Sequence, residues 1–344
     1  MTTTTIAARR TASRAPRTTI ALVTSAGIVV LAIVASLALG VRDVDPATAL
    51  RAVLDSTTGG LDAIAVRERI PRTVLGLVAG AALGLAGALM QGVTRNPLAD
   101  PGILGVNGGA ALAVVVGIAF LGIVSPWQYL ALALVGAALA ATFVYVVGSL
   151  GRGGPTPIKL ALAGAATSAA LSSLVGAILL PRTDVMTIFR QWQIGGIGGA
   201  EWDRMAVVAP VIGVAAVVGL LCAPALDAMA LGEQAATGLG VRTGAARLVA
   251  AVAGVVLCGA ATALAGPIGF IGLVVPHVLR LLVGANHRAL LPASLLGGAG
   301  LLLLADVVGR LIQDTAEVEA GIVAAFVGAP VLVLIARRTR MQGL

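Results

Sequence analysis

Asn96 to Gly105 reads NPLADPGILG, a polar turn punctuated by two prolines. Proline lacks a backbone N–H and pushes the residue before it out of the helical region, so Asn96 and Asp100 both sit where a helix stops. Asn, Asp and Pro-Gly supply the turn chemistry that satisfies the freed backbone groups. On each side the chain runs apolar for about 20 residues, the length that crosses the hydrocarbon core of a bilayer. The fold this implies is all-α, a series of apolar helices joined by short polar connections.

Composition points the same way. Of 344 residues, 58% are hydrophobic and 11% charged, with a mean hydropathy of +1.03; a soluble domain carries about 25% charged residues. The chain is therefore a polytopic membrane protein. Aromatic residues make up only 3% while glycines number 45, which favours helices whose backbones approach closely in lipid. Ten segments read as spans, near 20–40, 73–92, 105–124, 129–148, 160–180, 205–224, 247–266, 267–283, 290–310 and 320–336. The eighth opens on Gly266-Pro267, where a bend near one membrane face is expected. The first has the arginine-bearing start of a signal peptide, but its apolar run of about 20 residues exceeds the usual 7–15, so it reads as a retained helix. Residues 1–19, rich in Thr and Arg, have the composition of a disordered tail. Residues 20–338 then form one transmembrane domain, with polar insertions at 41–72, 181–204 and 225–247.

With the N-terminus cytoplasmic, Arg9, Arg10, Arg14, Arg17, Arg95, Arg152, Lys159, Arg242, Arg247, Arg280, Arg288, Arg337, Arg338 and Arg340 fall inside, against Asp100, Asp227 and Glu233. This asymmetry follows the positive-inside rule and places both termini in the cytoplasm. The formal charge of +8 is thus accounted for by topology, and nucleic acid is not an expected partner. Lys159, the one lysine of the chain, has no phosphate-cradling glycines around it, and no G-x-x-x-x-G-K-[ST] motif occurs. Neither ATP hydrolysis nor another catalytic motif is encoded, so the chain is not expected to be an enzyme. Cys222 and Cys258 lie in apolar surroundings and read as small buried hydrophobes. His277 and His287 lack a carboxylate-rich ligand set, so no metal site and no cofactor are expected.

Four further features carry chemistry. Leu226 to Val241, LDAMALGEQAATGLGV, is too polar to span, and its glycines Gly232, Gly238 and Gly240 would hold short helices across the membrane surface. It also fits an amphipathic interfacial helix. Asp306 and Arg310 stand one turn apart in the ninth span and reduce each other's cost of burial. Arg69 and Arg72 bracket Ile70-Pro71 at the start of the second span, where arginines ordinarily snorkel to the interface. His277 and Arg280 share a helix face, a placement that packing alone explains.

The turn, together with Arg69-Ile70-Pro71-Arg72 before it and Gly105-Val106-Asn107-Gly108-Gly109-Ala110 after it, resembles the permease family of ABC importers for iron-siderophores, haem and cobalamin. Leu231-Gly232-Glu233, Leu239-Gly240-Val241 and the block from Gly266 through Val275-Pro276-His277 to Leu291-Pro292 are similar to that family in the same order. The resemblance covers roughly Arg69 to Arg338. It implies an inner-membrane, multi-pass subunit that pairs with a second permease, docks two ATP-binding-cassette ATPase subunits inside, and receives an extracytoplasmic substrate-binding protein outside. In such a protein Asn96, Pro97, Asp100, Pro101 and Gly102 form the cytoplasmic turn between the second and third helices. Leu231, Gly232, Glu233, Gly238, Leu239 and Gly240 contact the ATPase, and Arg69, Arg72 and Arg310 meet carboxylates of the binding protein. Thr167, Ser168, Ser172 and Ser173 of the fifth span line the translocation path, although small residues there are also ordinary packing positions. The implied cargo is a ferric siderophore or similar bulky chelate; haem, cobalamin and an ATP-independent secondary transporter are the alternatives.

Overall fold

Helix α3, Leu61–Thr94, runs through the middle of the molecule and is the most deeply buried of its long helices. The computed structural model describes residues 14–40, 42–55, 57–97, 99–123, 125–151, 156–312 and 317–341. Around α3 the chain builds α1 (Arg14–Ala38), α2 (Pro46–Leu54), α4 (Val106–Leu121), α5 (Pro126–Ser149), α6 (Pro157–Leu179) and α7 (Thr183–Gln193). It continues through α8 (Trp202–Leu221), α9 (Ala223–Ala230), α10 (Glu233–Gly238), α11 (Thr243–Ala265), α12 (Ile271–Val283), α13 (His287–Leu311) and α14 (Ala320–Met341). No strand occurs among the described residues, so the all-α reading stands. Seven helices are long and apolar enough to cross a membrane, and α4, α12 and the first part of α14 are shorter apolar helices at the other three positions read as spans.

Close backbone contact explains the glycines. Gly76, Gly80 and Gly84 recur every fourth residue and so line one face of α3. A methyl group on Gly80 would strike the Gly298 carbonyl of α13, one on Gly84 the Ser294 carbonyl, and one on Gly87 the Gly272 carbonyl of α12. Helices that meet through backbone gain dispersion contacts along their length, which matters in lipid because apolar burial there supplies no drive. The faces of α3 turned to α11 and α8 instead carry Leu85, Leu89 and Met90, all fully buried.

Local sequence sets the ends. Asp45 caps α2 by accepting from the amides of Ala47 and Thr48, with Pro46 at the first helical position. Helix α11 stops at Ala265, Gly266 takes φ 71, and α12 begins only at Ile271, so the break read at Gly266-Pro267 is a five-residue non-helical connection. One expectation needs correction. Helix α1 begins at Arg14, inside the segment 1–19 read as disordered, because Arg14 to Thr19 lacks a helix breaker after Pro16 and simply extends the apolar helix; residues 1–13 lie outside the described residues. The polar insertions 41–72 and 181–204 also contain helices. They hold α2, the first turns of α3 and the amphipathic α7, whose Val185 and Phe189 are buried four residues apart.

Candidate functional site

Helices α3 and α13 each carry polar groups at two levels, and the two levels of one meet those of the other. Arg72 and Arg95 on or just beyond α3 are twenty-three residues apart, as are His287 and Arg310 on α13. At 1.5 Å per residue that is about 35 Å, close to the thickness of a bilayer core. The bundle therefore has two polar ends separated by an apolar middle.

At one end Asp306 sits between two guanidinium groups. Arg72 approaches with Nε at 3.0 and 3.1 Å from the two carboxylate oxygens and Nη2 at 2.8 Å, a bidentate fork. Arg310, one turn along α13, places Nε 3.1 Å from Oδ2, so the pair read from the i,i+4 spacing forms. The remaining Arg310 donors reach the Ser36 and Leu39 carbonyls at 3.1 and 3.0 Å and the Ser36 hydroxyl at 3.2 Å. Arg72 has one more partner, Glu317, at 2.6 Å from Nη1. Arg69 donates to carbonyls, those of Leu37 at 2.9 Å, Ala38 at 3.2 Å and Arg42 at 2.6 Å. Of the three arginines expected at an outward surface, Arg310 is thus buried, with 3% of its side chain exposed, because the end of α1 closes over it. Arg69 and Arg72 line a cavity of about 370 Å³ with Gly40, Arg42, Glu68 and Glu317. Sequence reasoning missed Glu317 and Ser36, since neither is near the arginines in the chain.

At the other end Gln91, Arg280, His287 and Asp227 converge. Arg280 donates to Gln91 Oε1 at 3.2 Å, and Gln91 Nε2 donates to the Leu273 carbonyl at 3.2 Å. Asp227 accepts from the backbone N–H of His287 at 2.6 Å and lies 2.9 Å from its Nδ1. The turn that opened the sequence reading lies here. Asp100 caps a 3₁₀ turn at Pro101–Leu104 by accepting from the Gly102 amide at 2.7 Å, and Gly105 at φ 74 releases the chain into α4. Burial holds the Asp100 carboxyl above its ordinary range. Asn96, Asp100 and Leu104 face Ile158 and Leu162 of α6 across a cavity of about 400 Å³; Leu98 lies outside the described residues.

The 225–247 loop folds as two short helices. Gly232 and Gly240 adopt φ 115 and φ 81, the left-handed region that glycine enters without strain, and so turn the chain at each end of α10. Gly238, expected to do the same, is the last residue of α10 and helical. Leu231 and Leu239 are 72% and 66% exposed, two large apolar side chains on a polar loop. Glu233 is anchored toward Arg247 at 3.6 Å and Thr243 at 3.5 Å.

Helix α6 has the least covered surface of the long helices, with 11% of its most apolar stretch buried. Thr167 and Ser168 are half-buried, and Ser172 and Ser173 are exposed. Ser173 donates back to the Ala169 carbonyl at 2.9 Å, so its hydroxyl is quenched within the helix. No cluster of three or more His, Cys, Asp or Glu side chains suited to a metal ion occurs among the described residues.

An apolar helical bundle with polar networks at its two ends defines a polytopic membrane protein. The chain belongs to the FecCD transport family, whose model matches residues 28–338, and is a multi-pass inner-membrane protein. It is 44% identical over 320 residues to the ferric enterobactin transport system permease protein FepD of Escherichia coli (strain K12), covering 92% of this chain and 96% of that one. It is 38% identical over 336 residues to the Fe(3+)-citrate import system permease protein YfmD of Bacillus subtilis (strain 168), covering 97% and 98%. A solved chain of the metal-chelate ABC transporter type, in an inward-facing conformation, superposes with a TM-score of 0.80 at 27% identity, covering 93% of this chain and 99% of that one.

Proposed function

We propose that this chain is the permease subunit of an ABC importer that moves a ferric siderophore across the inner membrane, with ATP hydrolysed by separate subunits. The reading is carried by one observation: two polar ends about 35 Å apart on an apolar bundle whose relatives include a ferric enterobactin permease. The chain crosses the bilayer ten times with both termini cytoplasmic. This puts Arg95, Asp227, Glu233 and His287 inside and Arg69, Arg72, Asp306 and Glu317 outside, in keeping with the charge asymmetry of the sequence.

Leu231 and Leu239 are the apolar contact offered to the ATPase, with Gly232, Glu233, Gly238 and Gly240 shaping the loop that presents them. Their exposure on a polar loop supports this, because large apolar side chains left in water mark a surface that a partner covers. On the outer side Arg69 and Arg72 receive carboxylates of an extracytoplasmic binding protein. Arg310 acts behind them by holding Asp306 in place. The bare α6 meets a second permease, the same or a related chain, and Thr167, Ser168, Ser172 and Ser173 face the path between them. Asn96, Pro97, Asp100, Pro101 and Gly102 set the inner mouth against α6, and lipid covers the remaining apolar flanks.

Reconstitution tests the whole. Proteoliposomes holding the permease, its ATPase and its binding protein should accumulate ferric siderophore only with ATP. The permease alone under a proton or sodium gradient should accumulate none, and uptake in that condition would make it a secondary transporter. Haem and cobalamin, offered to the same assembly, distinguish the cargo.

A further inference from the structure

Beneath the α9–α10 loop lies a cavity of about 250 Å³ lined by Gln91, Gly92, Arg95, Pro97, Ala230, Arg280, Ala285 and His287, in which Arg95 and Arg280 have no carboxylate partner among the described residues. His287 is 3% exposed and its Nε2 has no hydrogen-bond partner. Asp227 holds the opposite ring nitrogen, so Nε2 faces away from that carboxylate and toward Gly92, where a Cβ would lie 3.0 Å from it. The Arg280 guanidinium gives one Nη to Gln91, and its buried Nε also has no partner. Arg95, exposed at the mouth, takes the left-handed conformation at the C-terminus of α3. Two guanidinium groups and an imidazole thus line a space in which Gln91 Oε1 accepts from Arg280.

We infer that this cavity is a socket for a carboxylate side chain of the ATPase subunit, an inference that rests on the coupling reading of the α9–α10 loop. Buried donors left unmatched are costly, and a carboxylate has about four lone-pair positions to offer them. Burial holds the free His287 ring toward its neutral form despite Asp227 on Nδ1; a carboxylate arriving at Nε2 offsets that and draws a proton onto the ring, while the two arginines supply charge-assisted bonds. The mouth is built from three interhelical connections, at Arg95, Ala230 and Ala285. Ala230 is followed directly by the exposed Leu231. Whatever covers Leu231 therefore also covers the socket, which favours a protein carboxylate over a lipid headgroup arriving along the helix flanks. The apolar contact at Leu231 gives the interface area, and the socket fixes its register.

The assembled permease–ATPase complex tests this. The native chain has one lysine, Lys159, so Arg95→Lys adds a single new amine, and a carbodiimide should couple it to an Asp or Glu of the ATPase, identified by peptide mapping. An intact complex with no such cross-link overturns the socket. Arg95→Gln and Arg280→Gln should each weaken ATPase affinity about tenfold or more, with the thermal transition of the isolated permease as the control for folding. Unchanged affinity overturns the proposal. If affinity is unchanged while native mass spectrometry shows loss of a co-purifying anionic phospholipid, the cavity holds a headgroup instead. Leu231→Asp separates the two readings: loss of ATPase binding sustains the coupling loop even where the socket fails, and full binding removes the loop reading itself.

Discussion

Asp306 is one carboxylate shared by two arginines, and its burial makes it the most consequential single residue of that end of the bundle. Its side chain is 1% exposed, against 13% for Arg72 and 3% for Arg310. Asp306→Asn leaves two poorly hydrated cations facing each other, and removing one member of a buried ion pair costs roughly 3–5 kcal/mol. Thermal unfolding in detergent should show that loss. Glu317→Gln, on a side chain 38% exposed, should cost no more than about 1 kcal/mol, and a comparable loss from both would contradict the burial argument. Asp100 answers to pH. Its raised carboxyl means that the folded chain prefers the neutral form, so its contribution to stability declines as pH rises from the usual carboxylate range into the raised one. Asp100→Asn keeps the acceptor for the Gly102 amide and should flatten that decline in a pH series of thermal unfolding. Asp100→Ala should instead lose about 1 kcal/mol at low pH, the worth of a cap, with the deficit narrowing as pH rises and the native carboxyl ionises.

Between elements, the glycine ridge of α3 is the contact most easily broken. Gly84→Leu drives a side chain into the Ser294 carbonyl of α13, and overpacking of this sort costs about 1–3 kcal/mol or more where backbone must yield. The same substitution at Gly213 of α8, where a Cβ meets nothing within 4 Å, should leave stability unchanged; equal yields and melting points for both would refute the close-packing account. Element existence was legible in advance: each apolar run read from the sequence corresponds to a helix, because about 20 apolar residues without a breaker have few alternatives in lipid. The short helices α2 and α7 were not read, although Asp45-Pro46 and the Val185–Phe189 spacing mark them. In a stretch judged by hydropathy, an amphipathic helix averages to the same value as a loop.

For the whole molecule, the uneven covering of its helices is what the proposed pairing with a second permease rests on. Helix α3 has 78% of its most apolar stretch buried inside one chain, and α6 has 11%. If α6 forms the interface with a second permease, Ser172→Cys should form a cross-link between two copies in membranes, while a cysteine at Val214 of α8, 67% exposed on another flank, should not. The reverse pattern would move the interface to α8.

Sequence by itself determined the class of this protein: an all-helical membrane protein with a proline-punctuated turn, a polar loop that does not span, and an i,i+4 ion pair in one helix, its permease character being implied by the resemblance of its motifs. These are local properties, fixed by hydropathy, by proline geometry and by side chains within one turn of each other. Only the tertiary structure decided which charges meet. Arg72 finds Asp306 and Glu317, Arg280 finds Gln91, and His287 finds Asp227, pairs that are far apart in the chain. Such pairings follow from which faces of α3 and α13 the glycines bring together, and no spacing along one segment carries that information.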